Sequence, residues 1–426
     1  MEHLAENYVV VAKSPDPENV YCYSPGLVKL DSGRLIATMD YAGPGVKGMP
    51  NWCWRKDPKP FYNSGRVFIS DDGGESWNEV KSVPMLCMRP FVAGNSVYVI
   101  GFCKDLGIIR SDDGGNTWSD VYPLTEGEMW HQAPSNVWYE GDKVYMVMER
   151  MTHQNENWPV CGIAPVTMRA NVWDDLTKRE NWTFASELVF DQHVNEDLFT
   201  DFGAPFYPDV KYGYFADVTS GWLETNIVRL KNENDWFYDE SGKTLHLIMR
   251  AWTGLNWTGA MAKVTEMEDG SMQTSFEYAP SGKRMVFINI PGGGQSKFHI
   301  LYDQQTKTYW LITNQFIDGM VNFNKMTNRD RIGYDRSRLV LYYSHNCFDW
   351  IFAGVVATGK TYKEARSYAT ICFDGEDMLV LSRSADANTK NGHDTNMITF
   401  HKIKNFRSLI DTDYEAYRYH IPAEDK

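Results

Sequence analysis

The sequence predicts an all-β protein built as a β-propeller, which is a ring of four-stranded antiparallel sheets called blades. Two nearly identical octets, SDDGGESW at 70–77 and SDDGGNTW at 111–118, recur at about one blade length. Short strand-like segments separated by turns run along the chain, and helical periodicity is nearly absent. Dividing 426 residues by roughly 45 to 60 residues per blade gives seven blades, with six as the alternative.

The strand segments follow one another without a low-complexity linker, which favours a single propeller domain over residues 1–426. Each segment shows alternating or continuous apolar residues around an Asp-Gly, Ser-Gly or Asp-Asp-Gly turn, the pattern of β-hairpins. In chain order they are SPGLVKLDSGRLIATMD (24–40), GRVFISDDGGESW (65–77), SVYVIGFCKDLGIIRSDDGGNTW (96–118), SNVWYEGDKVYMVMER (135–150), IVRLKNENDWFYDESGKTLHLIMRA (227–251), HILYDQQTKTYWLITNQ (299–315), LVLYYSHNCFDW (339–350) and ATICFDGEDMLVLSRS (369–384).

The octets have the form S-x-D-x-G-x-x-W, in which the Asp can accept backbone N–H groups and the Gly supplies a positive φ. The Trp is expected to pack between blades. A third, shorter copy is degenerate. The three copies are Ser70, Asp72, Gly74 and Trp77; Ser111, Asp113, Gly115 and Trp118; and Ser344, Asn346 and Trp350. Because each Asp is committed to its own turn, we interpret these carboxylates as structural. The pattern resembles the Asp-box of the sialidase superfamily, which implies a propeller fold.

Composition and charge exclude several classes of partner and cofactor. A net charge of −14 and a pI near 5.2 argue against nucleic-acid and anionic-membrane partners. The seven cysteines include no CxxC pair, and no ligand spacing points to a metal; no cofactor is predicted. The N-terminus lacks the pattern of a signal peptide. We therefore expect a cytoplasmic protein, or a periplasmic or secreted one if a leader has been removed.

The first hypothesis for the chemistry is a sialidase. Sialidases resemble one another in an Arg-Ile-Pro near the first blade, a Glu–Tyr pair, an acidic Asp and two further arginines. Here Ser24 stands where the first of these arginines would be. The stretch LETNIVRL followed by GKTLHLIMRA resembles the Glu-then-Arg blade of the superfamily. It predicts that Glu224 and Arg250 face the central channel.

A second resemblance predicts a lyase. His131 precedes a predicted hairpin and His153 follows it, so the hairpin can bring both imidazoles to one rim. This arrangement resembles the seven-bladed propeller polysaccharide lyases of the ulvan lyase and rhamnose–glucuronate lyase type. That resemblance implies His131, His153 and Arg250 as catalytic residues, with Tyr207 in place of the family tyrosine.

The leading hypothesis from the sequence is β-elimination on a uronate-containing poly- or oligosaccharide. Arg250, helped by Lys297, would neutralise the carboxylate, while His or Tyr side chains would move the protons. The acidic sugar itself is the expected partner. The candidate substrate-binding residues are Trp130, Gln132, Glu224, Asn226, Lys297, Asn314, Arg383 and His393.

Each assignment has an alternative. His131 can be a capping or core residue, and His153 an ordinary surface residue. Glu224 can serve as the ion-pair partner of Arg250, and His393 can stabilise its loop together with Asp394. For the whole chain, one alternative is an exo-glycosidase on an acidic sugar that works through Glu224 or an Asp. The other is a propeller that binds glycan without catalysis.

Overall fold

Antiparallel strands joined by tight turns make up most of the computed structural model, which describes residues 2–57, 59–131, 133–153, 159–194, 220–253, 257–294, 296–316 and 336–411. The side chains of residues 56, 57, 59, 159 and 160 are excepted. No helix within these ranges is long and apolar enough to cross a membrane. The seven cysteines all lie in the described ranges, and none is in a disulfide bond.

The strands of the described ranges are numbered in chain order. They are β1 (Val9–Lys13), β2 (Tyr21–Lys29), β3 (Leu35–Ala42), β4 (Cys53–Asp57), β5 (Lys59–Ser70), β6 (Asn78–Val83), β7 (Leu86–Ala93), β8 (Ser96–Phe102), β9 (Leu106–Ser111), β10 (Tyr122–Pro123), β11 (Trp130–His131), β12 (Trp138–Glu140), β13 (Lys143–Met151), β14 (Ile163–Asn171), β15 (Thr183–Phe184), β16 (Gly221–Val228), β17 (Thr244–Trp252), β18 (Trp257–Glu266), β19 (Met272–Ser275), β20 (Glu277–Tyr278), β21 (Arg284–Met285), β22 (Phe287–Ile288), β23 (His299–Asp303), β24 (Thr308–Asn314), β25 (Arg338–Ser344), β26 (Trp350–Thr358), β27 (Arg366–Asp374), β28 (Asp377–Ser384) and β29 (Met397–Ile403). The helical segments are short: α1 (Phe190–His193) and the 3-10 turns Pro44–Gly48, Pro159–Gly162, Arg179–Asn181, Pro291–Gly294 and Phe406–Leu409.

Six sheets of four or five strands form from the described residues, and each is one blade. Blade I contains β2 to β6, blade II β7 to β10, blade III β11 to β15 and blade IV β16 to β19 with β22. Blade V contains β23 to β26, and blade VI is β27, β28, β29 and β1. A small hairpin, β20 with β21, stands outside them.

The described residues form six blades, so the alternative count is confirmed and the count of seven is wrong. The inner strand β2 contacts β7 of blade II and β27 of blade VI, and β16 contacts β13 of blade III and β23 of blade V. Division by an ordinary blade length overestimated the count because several strand connections in this chain are long. The stretch of residues 229–243 between β16 and β17 is one of them.

The N-terminal strand completes the last blade. β1 pairs with β29 in antiparallel register, from Val9 opposite Phe400 to Lys13 opposite Met397. The first blade is also tied to the last, because Thr395 Oγ1 donates to the carbonyl oxygen of Cys22 at 2.6 Å. The last blade therefore combines one strand from the start of the chain with three strands from later in it.

The repeated turns have the geometry that their pattern predicts. In the first, Asp72 Oδ1 accepts the Ser76 N–H at 2.9 Å, and the Trp77 indole N–H donates to the Gly74 carbonyl oxygen at 3.1 Å. The hydrogen bonds from Ser76 are the main cause that lowers the pKa of Asp72 to about 2. The Trp77 ring lies 5.5 Å from the ring of Phe400 in blade VI, so it packs between two blades.

The other two copies repeat these bonds, including the degenerate one, where Trp350 Nε1 donates to the Cys347 carbonyl oxygen at 3.0 Å. All three turns lie on one face of the ring, which we call the turn face. Ser70 pairs with Leu35 at the start of β3, whereas Asp40 near the end of β3 pairs with Gly65. We call the opposite face, where Asp40 lies, the mouth face.

A pair of glycine substitutions tests this turn. A Cβ at Gly74 would lie 2.1 Å from the Phe400 ring, whereas at Gly73 the nearest atom is Lys402 Nζ at 3.9 Å; both glycines have positive φ. We expect Gly73→Ala to lower the free energy of unfolding by about 1–2 kcal/mol, the cost of the backbone conformation. Gly74→Ala should cost about 1–3 kcal/mol more because of overpacking. Urea unfolding followed by tryptophan fluorescence measures both, and equal losses would contradict the packing argument.

Candidate active site at the mouth face

Four inner strands share one irregularity where they reach the mouth face. β2, β7, β16 and β27 each carry a bulge near their first residues. At each bulge a residue other than glycine has a left-handed backbone: Ser24 at φ 53°, Cys87 at 52°, Glu224 at 60° and Tyr368 at 51°. Such residues are strained and are concentrated at functional sites. The bulges bring side chains from separate blades together, since Ser24 Oγ lies 3.4 Å from Cys87 Sγ.

Glu224, Arg250 and Tyr368 form the centre of the site. Arg250 Nη1 donates to Glu224 Oε2 at 2.7 Å and to the Tyr368 hydroxyl at 2.8 Å. All three side chains are buried. Burial by itself would raise the pKa of Glu224. The charge of Arg250 and the hydrogen bonds from Arg250 and Tyr368 outweigh that effect and hold the pKa below its ordinary value. Glu224 is therefore a carboxylate that is hydrogen-bonded to a tyrosine.

Two further guanidinium groups flank the Tyr368 ring. Cζ of Arg336 lies 4.8 Å from the ring centroid, and Cζ of Arg383 lies 4.9 Å from it. Burial lowers the pKa of Arg336, and the positive charges of Arg383 and Arg250 lower it further. The three arginines are therefore close enough to repel one another. A cluster of this kind favours an anion placed between its members.

The rim beside Arg383 is built from β2 of blade I and from the connection between β28 and β29 of blade VI. Cζ of Arg383 lies 3.6 Å from the Tyr23 ring centroid, and Nη2 donates to the carbonyl oxygen of His393. The Tyr23 hydroxyl donates to Asp394 Oδ1 at 2.6 Å and lies 3.1 Å from His393 Nδ1. Burial, followed by the charge of Arg383, lowers the pKa of His393 to about 4. His393 thus lies at the rim, and its Nδ1 lies 2.9 Å from Asp394 Oδ1 in the same loop.

Two buried carboxyl groups near the mouth have raised pKa values. Burial raises the pKa of Asp40, which accepts the Asn63 side-chain N–H at 2.7 Å and the Cys87 backbone N–H at 3.1 Å. Burial also raises the pKa of Glu149. Asp40 and Glu149 therefore retain a proton more readily than ordinary carboxyl groups do.

His131 reaches the site, whereas His153 lies elsewhere. His131 Nδ1 lies 3.6 Å from Glu149 Oε2, and Glu149 Oε1 accepts the backbone N–H of Thr225, the residue after Glu224, at 3.0 Å. His153 instead pairs with Asp191, its Nε2 lying 2.8 Å from Oδ2. Among the described residues, no contact joins His153 to His131 or to Arg250. The hairpin does return to the same face, but His153 falls outside the group of side chains at the mouth.

Lys297 lies in the central channel below the mouth. Nζ donates to the Pro134 carbonyl oxygen at 2.5 Å and to Thr370 Oγ1 at 3.2 Å. Both partners line a cavity of about 150 Å³ between the inner strands. Burial, opposed by the charge of Glu224, lowers the pKa of Lys297 to about 7. The amine therefore links blades III and VI through these two hydrogen bonds.

Three other candidate residues belong to the framework. Trp130 is buried, and its indole N–H donates to Glu128 at 3.0 Å. Asn226 accepts the backbone N–H of Ile300 at 3.0 Å, which ties blade IV to blade V. The Asn314 amide donates to three backbone carbonyl oxygens, including that of Arg366 at 2.7 Å. Gln132 and Tyr207 lie outside the described residues.

Sequence reasoning did not identify Tyr368, Arg336, Tyr23 or Asp40. Tyr368 is the first of the two residues that the bulge leaves unpaired in β27, which is the place that Glu224 occupies in β16. This correspondence depends on the bulges, which only the structure shows. Arg336 precedes β25 and has no such pattern.

The fold is similar to those of several solved enzymes. An α-L-arabinofuranosidase of Fusarium graminearum is 10% identical, with a TM-score of 0.51 over 94% of this chain and 98% of that chain. The Trypanosoma rangeli sialidase bound to the inhibitor DANA is 12% identical, with a TM-score of 0.55 over 97% of this chain and 62% of that chain. A Penicillium chrysogenum α-L-arabinanase bound to arabinobiose is 11% identical, with a TM-score of 0.50 over 95% and 99%.

At these identities the likeness concerns the fold, which is a β-propeller of the kind found in sialidases and arabinanases. No protein-family model matches the sequence, and no curated protein is similar to it.

Proposed function

We propose that the chain is a glycoside hydrolase acting on a sugar that carries an anionic group, with Tyr368 as the nucleophile and Glu224 as its base. The observation that carries the proposal is the single Arg250 nitrogen that donates to Glu224 Oε2 at 2.7 Å and to the Tyr368 hydroxyl at 2.8 Å. This corresponds to the hydrolase alternative from the sequence, not to its leading lyase hypothesis.

The reaction would take two steps, as in retaining glycosidases, with tyrosine in place of the usual carboxylate nucleophile. The Tyr368 oxygen attacks the anomeric carbon, its proton passes to Glu224, and the bond to the leaving oxygen breaks. Asp40 or Glu149, the two carboxyl groups with raised pKa values, protonates that oxygen. Water then displaces the sugar from the Tyr368 oxygen and gives one proton to the carboxylate that acted as the acid. Glu224 returns the proton that it took in the first step to the Tyr368 oxygen.

The charges at the mouth support an anionic sugar. The guanidinium groups of Arg250, Arg336 and Arg383 surround Tyr368 and can bind a carboxylate on the substrate. A neutral tyrosine can approach the anomeric carbon of such a sugar without the repulsion that a carboxylate nucleophile would meet. Ser24 does not supply the arginine expected in blade I, and Arg383 of blade VI provides a third guanidinium instead.

The lyase hypothesis has less support. It required His153 beside His131 and Arg250, but His153 pairs with Asp191. Its tyrosine, Tyr207, lies outside the described residues. The enzymes of similar fold named above, a sialidase, an arabinofuranosidase and an arabinanase, act on glycosides, which is consistent with hydrolysis.

A panel of fluorogenic glycosides tests the proposal. We expect release of the fluorophore from 4-methylumbelliferyl glycosides of sialic or uronic acids, and much slower release from the neutral α-L-arabinofuranoside. Cleavage of the neutral glycoside alone would overturn the anionic substrate. An unsaturated uronate product from a polysaccharide would restore the lyase, and absence of turnover on the whole panel would favour a binding propeller.

A further inference from the structure

A histidine, a cysteine and an aspartate from three separate segments meet beside blade III. They are His153 just after β13, Cys161 in the turn before β14 and Asp191 in α1. His153 Nε2 lies 2.8 Å from Asp191 Oδ2 and 3.9 Å from Cys161 Sγ, and the three ligand atoms all lie within 4.8 Å of one another. The two shorter separations bracket the roughly 3.3–3.8 Å between two ligands of a tetrahedral ion with bonds of about 2.0–2.3 Å.

The hydrogen bonds around His153 determine which nitrogen faces the cluster. The Thr152 hydroxyl donates to the Gly162 carbonyl oxygen at 2.8 Å, so its oxygen is left to accept from His153 Nδ1 at 3.1 Å. Nδ1 therefore carries the proton of the neutral ring, and Nε2 presents its lone pair. This lone pair faces a carboxylate oxygen, which is unfavourable unless a proton or another cation lies between them.

Backbone packing holds the ring in this orientation. A Cβ at Gly162 would lie 2.4 Å from the His153 carbonyl oxygen and 3.0 Å from ring atoms Cε1 and Nδ1. Only glycine allows this approach. A metal-binding imidazole usually donates its other ring N–H to a carboxylate, a backbone carbonyl or water, and here the Thr152 hydroxyl oxygen takes that place.

We propose that His153 Nε2, Cys161 Sγ and Asp191 Oδ2 bind a divalent transition metal ion of the zinc type. Imidazole, thiolate and carboxylate are ligands that this class of ion accepts, and hard ions such as Mg²⁺ or Ca²⁺ do not favour the thiolate. Cys161 is buried, whereas His153 and Asp191 are exposed, so ions can enter from solvent and water can complete the coordination. The ion would tie the end of β13 and the turn before β14 to α1.

The proposal is independent of the proposed hydrolase, because none of the three ligands is among the residues at the mouth. It also explains why the sequence predicts no metal: the ligands are separated by 8 and 30 positions, from 153 to 161 to 191, and match no known spacing. The competing structure is a simple ion pair between protonated His153 and Asp191, which binds no metal.

Cobalt(II) titration of the chelator-treated full chain decides between them. We expect saturable binding of one ion per chain, with the near-ultraviolet charge-transfer band of a cobalt–thiolate bond, and displacement by Zn²⁺. Cys161→Ser should abolish the band, and Asp191→Asn should weaken binding at least tenfold. Zn²⁺ should also raise the unfolding temperature of the wild-type chain but not that of Cys161→Ser.

Cys103→Ser is the matched control, because it removes a thiol at a different place, next to the Trp54 carbonyl oxygen. This variant should keep the band and the affinity of the wild type. Three results would overturn the proposal: no band in the wild type, a band that survives Cys161→Ser, or a band lost in Cys103→Ser instead.

Discussion

Tyr368→Phe is expected to abolish turnover of the acidic glycoside, lowering kcat by roughly 10⁴-fold or more, as removal of a nucleophile does. The substitution deletes only the hydroxyl group that accepts from Arg250 at 2.8 Å. The ring that contacts Arg336 and Arg383 stays. We therefore expect the free energy of unfolding to change by only about 1–2 kcal/mol. Steady-state kinetics and urea unfolding of the same preparation measure the two quantities.

Tyr309→Phe is a suitable control for this substitution. Tyr309 is also buried, and its hydroxyl donates to the Arg229 carbonyl oxygen at 2.6 Å, away from the mouth. This variant should lose similar stability but keep its activity. An activated fluoro-sugar should also label Tyr368 covalently in the wild type, as mass spectrometry of the peptides would show. If Tyr368→Phe retains activity within tenfold of the wild type, Tyr368 is not the nucleophile.

Arg250→Met is expected to lower the free energy of unfolding at neutral pH by about 3–5 kcal/mol, because it leaves the Glu224 carboxylate buried without its ion-pair partner. The side chains of Arg250 and Glu224 are 4% and 3% exposed. In the wild type Arg250 holds the pKa of Glu224 below its ordinary value. In the variant, burial should raise it above the unfolded value. The destabilisation should therefore be smaller in acid, where Glu224 is protonated, and grow as the pH rises through the new pKa.

The double variant Arg250→Met with Glu224→Leu separates stability from function. It removes both charges, so most of the lost stability should return, yet activity should stay absent. Lys13→Met serves as the control, since Lys13 pairs with Asp386 at 3.0 Å on an exposed surface and should cost less than about 1 kcal/mol. Two results would contradict this explanation: an equal loss of stability in Lys13→Met and Arg250→Met, or a double variant that is as unstable as Arg250→Met. Either would show that the instability of Arg250→Met does not come from a buried, unpaired Glu224.

Part of the site could be predicted from the sequence. Arg250 lies near the end of a strongly apolar strand, where a charge needs a partner or a function, and Glu224 belongs to the strand that pairs with it. The pair is therefore a local feature of one blade. Tyr368 could not be recognised in this way, because it is one of 24 tyrosines and its significance depends on a left-handed bulge.

The histidine pair shows the limit of hairpin reasoning. A hairpin predicts that residues at its two ends lie on one face, and His131 and His153 do. It does not predict their radial positions in the blade. His131 lies on β11 beside Glu149, whereas His153 lies beyond the end of β13 and pairs with Asp191.

The sequence by itself determined the propeller, because each repeated turn closes with hydrogen bonds between residues at most four positions apart. Such contacts leave a readable pattern, and Ser70 with Trp77 marks the blade wherever it occurs. The tertiary structure alone decided the number of blades and the composition of the mouth. Tyr368 and Glu224 are 144 positions apart along the chain, and only closure of the ring, which depends on packing between all the sheets, brings them into contact.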